Sequence, residues 1–174
     1  AIESVIDQKY PHEFMEIVIV DGESKDKTLS IITDIISKMD MRTKIYSDGG
    51  RGLAIARQMV VVHADGKYVI FVDSDVRVPD DFVQRQVEFM EHNPKVGVAV
   101  GRYMYQEGTL ISTLLDLYHH IAYKEFVGND ATIFRFEALR QIGGYDENIK
   151  GAVEDLDLVV RIQAKGWIHS VNEK

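Results

Sequence analysis

The chain has 174 residues, a net charge of −8 and 45% hydrophobic residues, which suits one domain with a buried core and argues against wholesale binding of nucleic acid or anionic membrane. It has no cysteine, so disulfides, zinc–thiolate sites and thiol nucleophiles are excluded, which fits a reducing compartment. It shows neither a signal-peptide pattern nor a run of about 18 apolar residues, so a soluble piece is expected.

Residues 2–8 read as the end of a helix whose preceding element is missing, since the chain starts at Ala1 without a Met. Residues 16–20 form a short apolar strand ending at Asp21. Residues 28–39 carry Leu29, Ile32, Ile35, Ile36 and Met39 at helical spacing. A short strand over 44–46 leads into the turn-rich Ser47-Asp48-Gly49-Gly50-Arg51-Gly52, and a helix follows over 53–63. The next strand, from Lys67, ends at Asp73. Pro79 with Asp80 and Asp81 opens a helix reaching about His92, because proline is tolerated and acids are favoured in a first turn. Residues 96–100 form another apolar strand. Beyond it the reading is a helix over 109–123, a strand over 131–136, an amphipathic helix over 154–165 with Leu156, Val159, Val160 and Ile162 inward, and a closing strand over 167–171. Alternating strands and helices imply crossover connections and an α/β sandwich with a mostly parallel sheet.

The most informative stretch is Phe71-Val72-Asp73-Ser74-Asp75. If the strand continues through it, period-two alternation sends Asp73 and Asp75 to the same side, a pair of hard oxygen donors at the carboxyl edge where open α/β sheets bind ligands. Taken alone, such a pair is also what a polar strand end looks like.

Three further blocks stand in order with it. Val20-Asp21-Gly22-Glu23-Ser24-Lys25-Asp26-Lys27-Thr28 looks like the acidic loop of family 2 glycosyltransferases, and Asp73-Ser74-Asp75 resembles that family's Asp-x-Asp motif. Ile142-Gly143-Gly144-Tyr145-Asp146-Glu147 and Glu154-Asp155-Leu156-Asp157-Leu158, followed by Arg161, are similar to its Gly-Gly-Phe-Asp-Glu and Glu-Asp-x-Asp-Leu-x-x-Arg blocks. The resemblance implies the GT-A fold, with residues 1–174 as a single catalytic domain lacking the family's first nucleotide-binding strand. Gly22, followed by Glu23, departs from the family's second acidic-loop Asp.

The implied activity is transfer of a sugar from a nucleotide diphosphate sugar to a hydroxyl acceptor on a glycan, a lipid-linked group or another molecule, with UDP favoured over GDP as the donor nucleotide. The resemblance makes Asp75 the metal ligand, with Asp73 at the ribose or a metal-bound water, and Mn²⁺ or Mg²⁺ the cation, since oxygen donors suit both. It places Asp21, Arg51, Arg57 and Asp73 at the nucleotide, and makes Asp155 and Glu154 catalytic, with Asp155 as the general base. It also implies a cytoplasmic setting, including the cytosolic face of a membrane reached through segments absent here.

Competing readings exist for each feature. Asp157 can pair with Arg161 at i,i+4, Asp26 can cap the following helix, Arg57 can bind a neighbouring acid structurally, and Gly143 and Gly144 can form a turn. His119 and His120 are adjacent and would splay apart on a helix, and the Tyr103, Tyr105, Tyr118 and Tyr123 group reads as packing. For the whole chain the alternatives are a haloacid dehalogenase-type phosphatase, for which residues 151–155 give too short an apolar lead into the later acids, and a catalytically inactive nucleotide-binding module.

Overall fold

The computed structural model describes residues 1–101, 131–149 and 153–172. The helix expected over 109–123, with its histidines and tyrosines, lies outside them.

Helix α1 (Ile2–Ile6) leads through a 3-10 turn (His12–Phe14) into β1 (Glu16–Asp21), α2 (Thr28–Ile36), β2 (Arg42–Ser47) and α3 (Leu53–His63). Then come β3 (Tyr68–Phe71), α4 (Phe82–His92), β4 (Val96–Gly101), β5 (Thr132–Arg135), α5 (Phe136–Ile142), α6 (Glu154–Ala164) and β6 (Ile168–Asn172). β1 and β2 pair in parallel from Glu16 opposite Arg42 to Asp21 opposite Ser47. The other four strands form a second sheet in the order β3-β5-β4-β6.

In that sheet β3, β4 and β6 run one way, while β5 lies between β3 and β4 and runs antiparallel to both. The expected parallel character therefore holds for three strands, and one strand makes the sheet mixed. The buried guanidinium of Arg135, the last residue of β5, donates to the carbonyls of Met90, Asn93 and Val96. These bonds tie the end of β5 to the corner where α4 turns into β4, consistent with its reversed direction.

Strand alternation divides the core into two layers. Val69, Phe71, Val98, Val100 and Phe134 face α3, α5 and α6, where Leu139, Leu158 and Ile162 are fully buried. Ile133 and Ala99 face the other way, onto Met90 of α4. Helices thus cover both faces, as the sandwich reading expected. Among the described residues, no helix is long and apolar enough to cross a membrane.

Two local expectations are corrected. β3 stops at Phe71, and Asp73 to Val76 form a turn closed by a Val76 N–H to Asp73 carbonyl bond, so period-two alternation does not govern Asp73 and Asp75. Helix α6 is also rotated from its expected setting: Leu158, Val159 and Ile162 are buried, whereas Leu156 and Val160 are each more than half exposed. The inward row is Glu154, Leu158, Ile162, spaced i, i+4, i+8, so a buried carboxylate sets the helix's rotation. In α2 no residue is fully buried, and Leu29 is exposed.

This setting has a measurable consequence. Leu158→Ala should cost about 2–5 kcal/mol by urea denaturation, and Leu156→Ala should stay within about 0.5 kcal/mol. Equal costs would mean that the helix is turned the other way.

Candidate active site

The site is assembled on α3. Its N-terminus is organised by Asp48, only 2% exposed, whose carboxylate accepts the backbone N–H groups of Gly50 (2.8 Å) and Gly52 (3.0 Å). Gly49, Gly50 and Gly52 all adopt positive φ, which lets the chain wrap around that carboxylate. Asp48 was overlooked as a functional position, although an Asp before Gly-Gly-x-Gly is a recognisable Asx-turn signal.

One turn into the helix, Arg57 is buried and acts as a hub. Its Nη1 donates to Glu154 Oε1 at 2.8 Å and to Asp155 Oδ1 at 2.5 Å, and its Nη2 lies 3.3 Å from both carboxylate oxygens of Asp73. Acids from the end of β3 and the start of α6 therefore converge on one cation. Burial opposes the charge on Arg57, but the fields of Asp155, Tyr145 and Asp73 together outweigh it and hold the guanidinium above its ordinary value. With all four groups ionised the cluster carries a local charge of −2. The Glu154 side chain is 3% exposed, that of Asp155 19% and that of Asp73 35%, so the cluster grades from interior to solvent.

The remaining candidates are dispersed around this hub. Asp21, the buried last residue of β1, accepts Ser24 Oγ at 2.6 Å and Ser24 N–H at 3.0 Å, holding the acidic loop in a tight turn. Its carbonyl accepts the Asp48 N–H, which links the ends of β1 and β2. Exposed Arg51 donates through Nε to the Asp48 carbonyl at 2.6 Å and belongs to this neighbourhood, not to the acid cluster. Asp75 is exposed on the turn after Asp73, with no hydrogen-bond partner among the described residues.

Several bland readings hold. Asp157 pairs with Arg161 at 2.5 Å, and Asp26 accepts the Thr28 N–H at the start of α2. The side chain and the N–H of Thr28 together keep the Asp26 carboxyl below its ordinary value. Gly143 and Gly144, both at φ 78°, form the turn that ends α5.

Gln58, unremarked in the sequence, clasps that turn. It accepts the Tyr145 N–H at 2.8 Å and donates to the Gly143 carbonyl at 3.1 Å. Buried Tyr145 then packs edge-on against Phe71, with ring centroids 5.7 Å apart. Adjacent residues of α3 thus bind the acid cluster and the glycine turn.

Among the described residues, no three His, Cys, Asp or Glu side chains gather closely enough to hold a metal ion by themselves. The donor set instead fits a hard cation that takes one or two carboxylates from protein and the rest of its shell from a phosphate ligand. Among the described residues the Asp75 carboxylate has no partner, and the excess negative charge around Arg57 favours a cation nearby.

A sandwich with this site has the architecture of GT-A-type transferases. The mannosyltransferase PcManGT from Pyrobaculum calidifontis, solved with GDP-Man and Mn²⁺, superposes with a TM-score of 0.79 at 21% identity over 99% of this chain and 50% of that one. S. aureus TarS 1-349 with UDP-GlcNAc gives 0.75 at 20% identity, over 99% and 51% of the two chains. The family model described as Glycosyl transferase family 2 matches residues 1–144, and the chain belongs to that family.

Relatives in sequence include the Bacillus subtilis protein "Putative teichuronic acid biosynthesis glycosyltransferase TuaG", 32% identical over 130 residues, which are 74% of this chain and 50% of that protein. Glucomannan 4-beta-mannosyltransferase 7 of Arabidopsis thaliana is 32% identical over 114 residues, covering 58% of this chain and 20% of that protein. The chain thus spans half or less of the length of these relatives. Family membership displaces the phosphatase reading of the Asp73–Asp75 pair.

Removing the hub should be costly. Arg57→Met leaves Glu154 and Asp155 without their counter-charge and should lower stability by about 3–5 kcal/mol in urea, with part of the loss recovered when Glu154→Gln is added. Unchanged stability in Arg57→Met would mean that the ion cluster does not hold the fold together.

Proposed function

We propose that residues 1–174 form a catalytic domain of an inverting, metal-dependent glycosyltransferase that moves a sugar from a nucleotide diphosphate sugar to a hydroxyl acceptor. The observation that carries this reading is the convergence of Asp73, Glu154 and Asp155 on Arg57, which gathers acids from distant segments at one point beside the solvent-facing Asp75.

Asp155 is the general base. It is the more exposed member of the α6 pair, and its carboxylate accepts the proton of the attacking hydroxyl as the new C–O bond forms, a contribution of roughly 10² to 10⁴ in rate. Attack from the face opposite the leaving diphosphate inverts the anomeric centre. Glu154, buried against Arg57, is a positioning residue that fixes the rotation of α6 and hence the place of Asp155. Arg57 orients Asp155 and Asp73 together.

Asp75, with Asp73 beside it, would hold Mn²⁺ or Mg²⁺, which as a Lewis acid would offset the charge growing on the leaving diphosphate. Asp21, Asp73 and Arg51 line the nucleotide side. The structural neighbours PcManGT and TarS were solved with GDP-Man and UDP-GlcNAc, so both nucleotides occur on this fold, and UDP is placed first for this chain. A cytoplasmic location, at the cytosolic face of a membrane, belongs to the same reading.

Asp155→Asn should lower transfer by about 10² to 10⁴ while leaving nucleotide affinity, measured by calorimetry, nearly unchanged. Full activity in that variant would remove the proposed base, and nucleotide binding without turnover in the unaltered protein would favour an inactive binding module. Asp75→Ala should abolish the Mn²⁺-dependent part of donor affinity. Affinity equally responsive to Mn²⁺ in this variant would overturn its assignment as a ligand.

A further inference from the structure

The Asp157–Arg161 pair of α6 does more than balance charge along a helix. Nε and Nη2 of Arg161 both donate to one oxygen, Asp157 Oδ2, at 2.8 and 2.5 Å. That leaves Nη1 to donate to the carbonyls of Ile142 (3.1 Å) and Gly144 (2.7 Å). These carbonyls stand at the C-terminal end of α5, where C=O groups lack partners within the helix and the dipole favours a cation. Both side chains are partly buried, so the contact is not a loose surface pair.

Gln58 holds the same turn from α3, through the Gly143 carbonyl and the Tyr145 N–H. The N–H groups of Gly143 and Gly144 return to the carbonyls of Arg140 and Leu139. Every backbone polar group from the Ile142 carbonyl to the Tyr145 N–H is therefore bonded, and the turn is a rigid link. It closes a circuit. Arg57 binds Glu154 and Asp155 in the first turn of α6, while its neighbour Gln58 binds the glycine turn, and that turn binds Arg161. Residues 154 and 161 are about 10 Å apart along the helix axis, at 1.5 Å per residue. A helix attached at one point can pivot, whereas one attached at two such points cannot. Apolar packing through Leu158 and Ile162 is non-directional and does not by itself fix a carboxylate's position.

We propose that Arg161, oriented by Asp157, and Gln58 are positioning residues for Asp155, forming a second brace between α3 and α6 that sets where the Asp155 carboxylate stands against Arg57. The proposal rests on the reading of Asp155 as general base. Both residues act through the glycine turn and not on the reacting atoms.

The brace can be read without substrate, from the shift in urea midpoint that Asp155→Asn causes in different backgrounds. In the otherwise unaltered chain this change weakens the bond to Arg57 and shifts the midpoint. In an Arg161→Leu or Gln58→Met chain the shift should shrink by about half or more, although independent sites bound to different groups would simply add. Asp157→Asn keeps an oxygen for the guanidinium and should leave the shift whole, whereas Asp157→Leu should reduce it as Arg161→Leu does. Arg161→Lys, the milder change should Arg161→Leu not fold, keeps the charge without the fork and should reduce the shift in part. The second readout is nucleotide release from UDP-GlcNAc or GDP-Man with Mn²⁺. Arg161→Leu should slow it by about tenfold or more at saturating donor and leave calorimetric donor affinity within about twofold. Equal shifts in every background, no shift on Asp155→Asn in the unaltered chain, or donor affinity falling together with the rate would each overturn the proposal. An unaltered chain that releases no nucleotide would count against the general-base reading alone, because the midpoint shifts still decide whether the brace exists.

Discussion

A single buried guanidinium surrounded by three carboxylates is the constraint on which the site depends. Arg57 and Glu154 would each be costly to bury alone, and their desolvation is tolerable because they pair with each other and with the partly exposed Asp155 and Asp73. The cluster therefore acts as a geometric lock. It holds the segment after β3 against the first turn of α6, and it turns α6 so that Leu158 and Ile162 enter the core behind Glu154. The chemistry-bearing acids and the apolar packing of the helix are consequences of one ionic contact.

The fold was largely legible because apolar runs and helical spacing are local signals. The strands at Glu16–Asp21 and Val96–Gly101 and the helix at Leu53–His63 follow directly from their side-chain periodicity. The direction of β5 was not legible, since it is a matter of pairing between distant segments, and the buried arginine that anchors its end reaches carbonyls about forty positions away in sequence. The facing of α6 was misread for a related reason. Leu156 and Val160 are as apolar as Leu158, and a reading by hydropathy has no cause to place Glu154 inside until its partner Arg57 is known.

The residues of the site divide in the same way. Asp73, Glu154 and Asp155 could be picked out as carboxylates in recognisable blocks, and the structure brings them together. The strand argument that joined Asp73 to Asp75 failed, because the strand ends before them and a turn takes over. Arg57 was read as a phosphate or acid neighbour, and its position at the centre of the cluster emerges only in three dimensions. Asp48 and Gln58 escaped notice because they work through backbone groups, which leave little trace in a pattern of side-chain types.

Helix α3 links the neighbourhoods that these residues define. Asp48 fixes its start, Arg57 binds the acids, and Gln58 grips the turn at Gly143 and Gly144. A Cβ atom built on Gly144 would lie 2.1 Å from Gln58 Oε1, so any side chain there must push Gln58 off the Tyr145 N–H. Positions 58 and 144 are therefore expected to covary among homologues: where glycine is lost at one, the long amide should be lost at the other, and the loop carrying Tyr145 would need a different anchor.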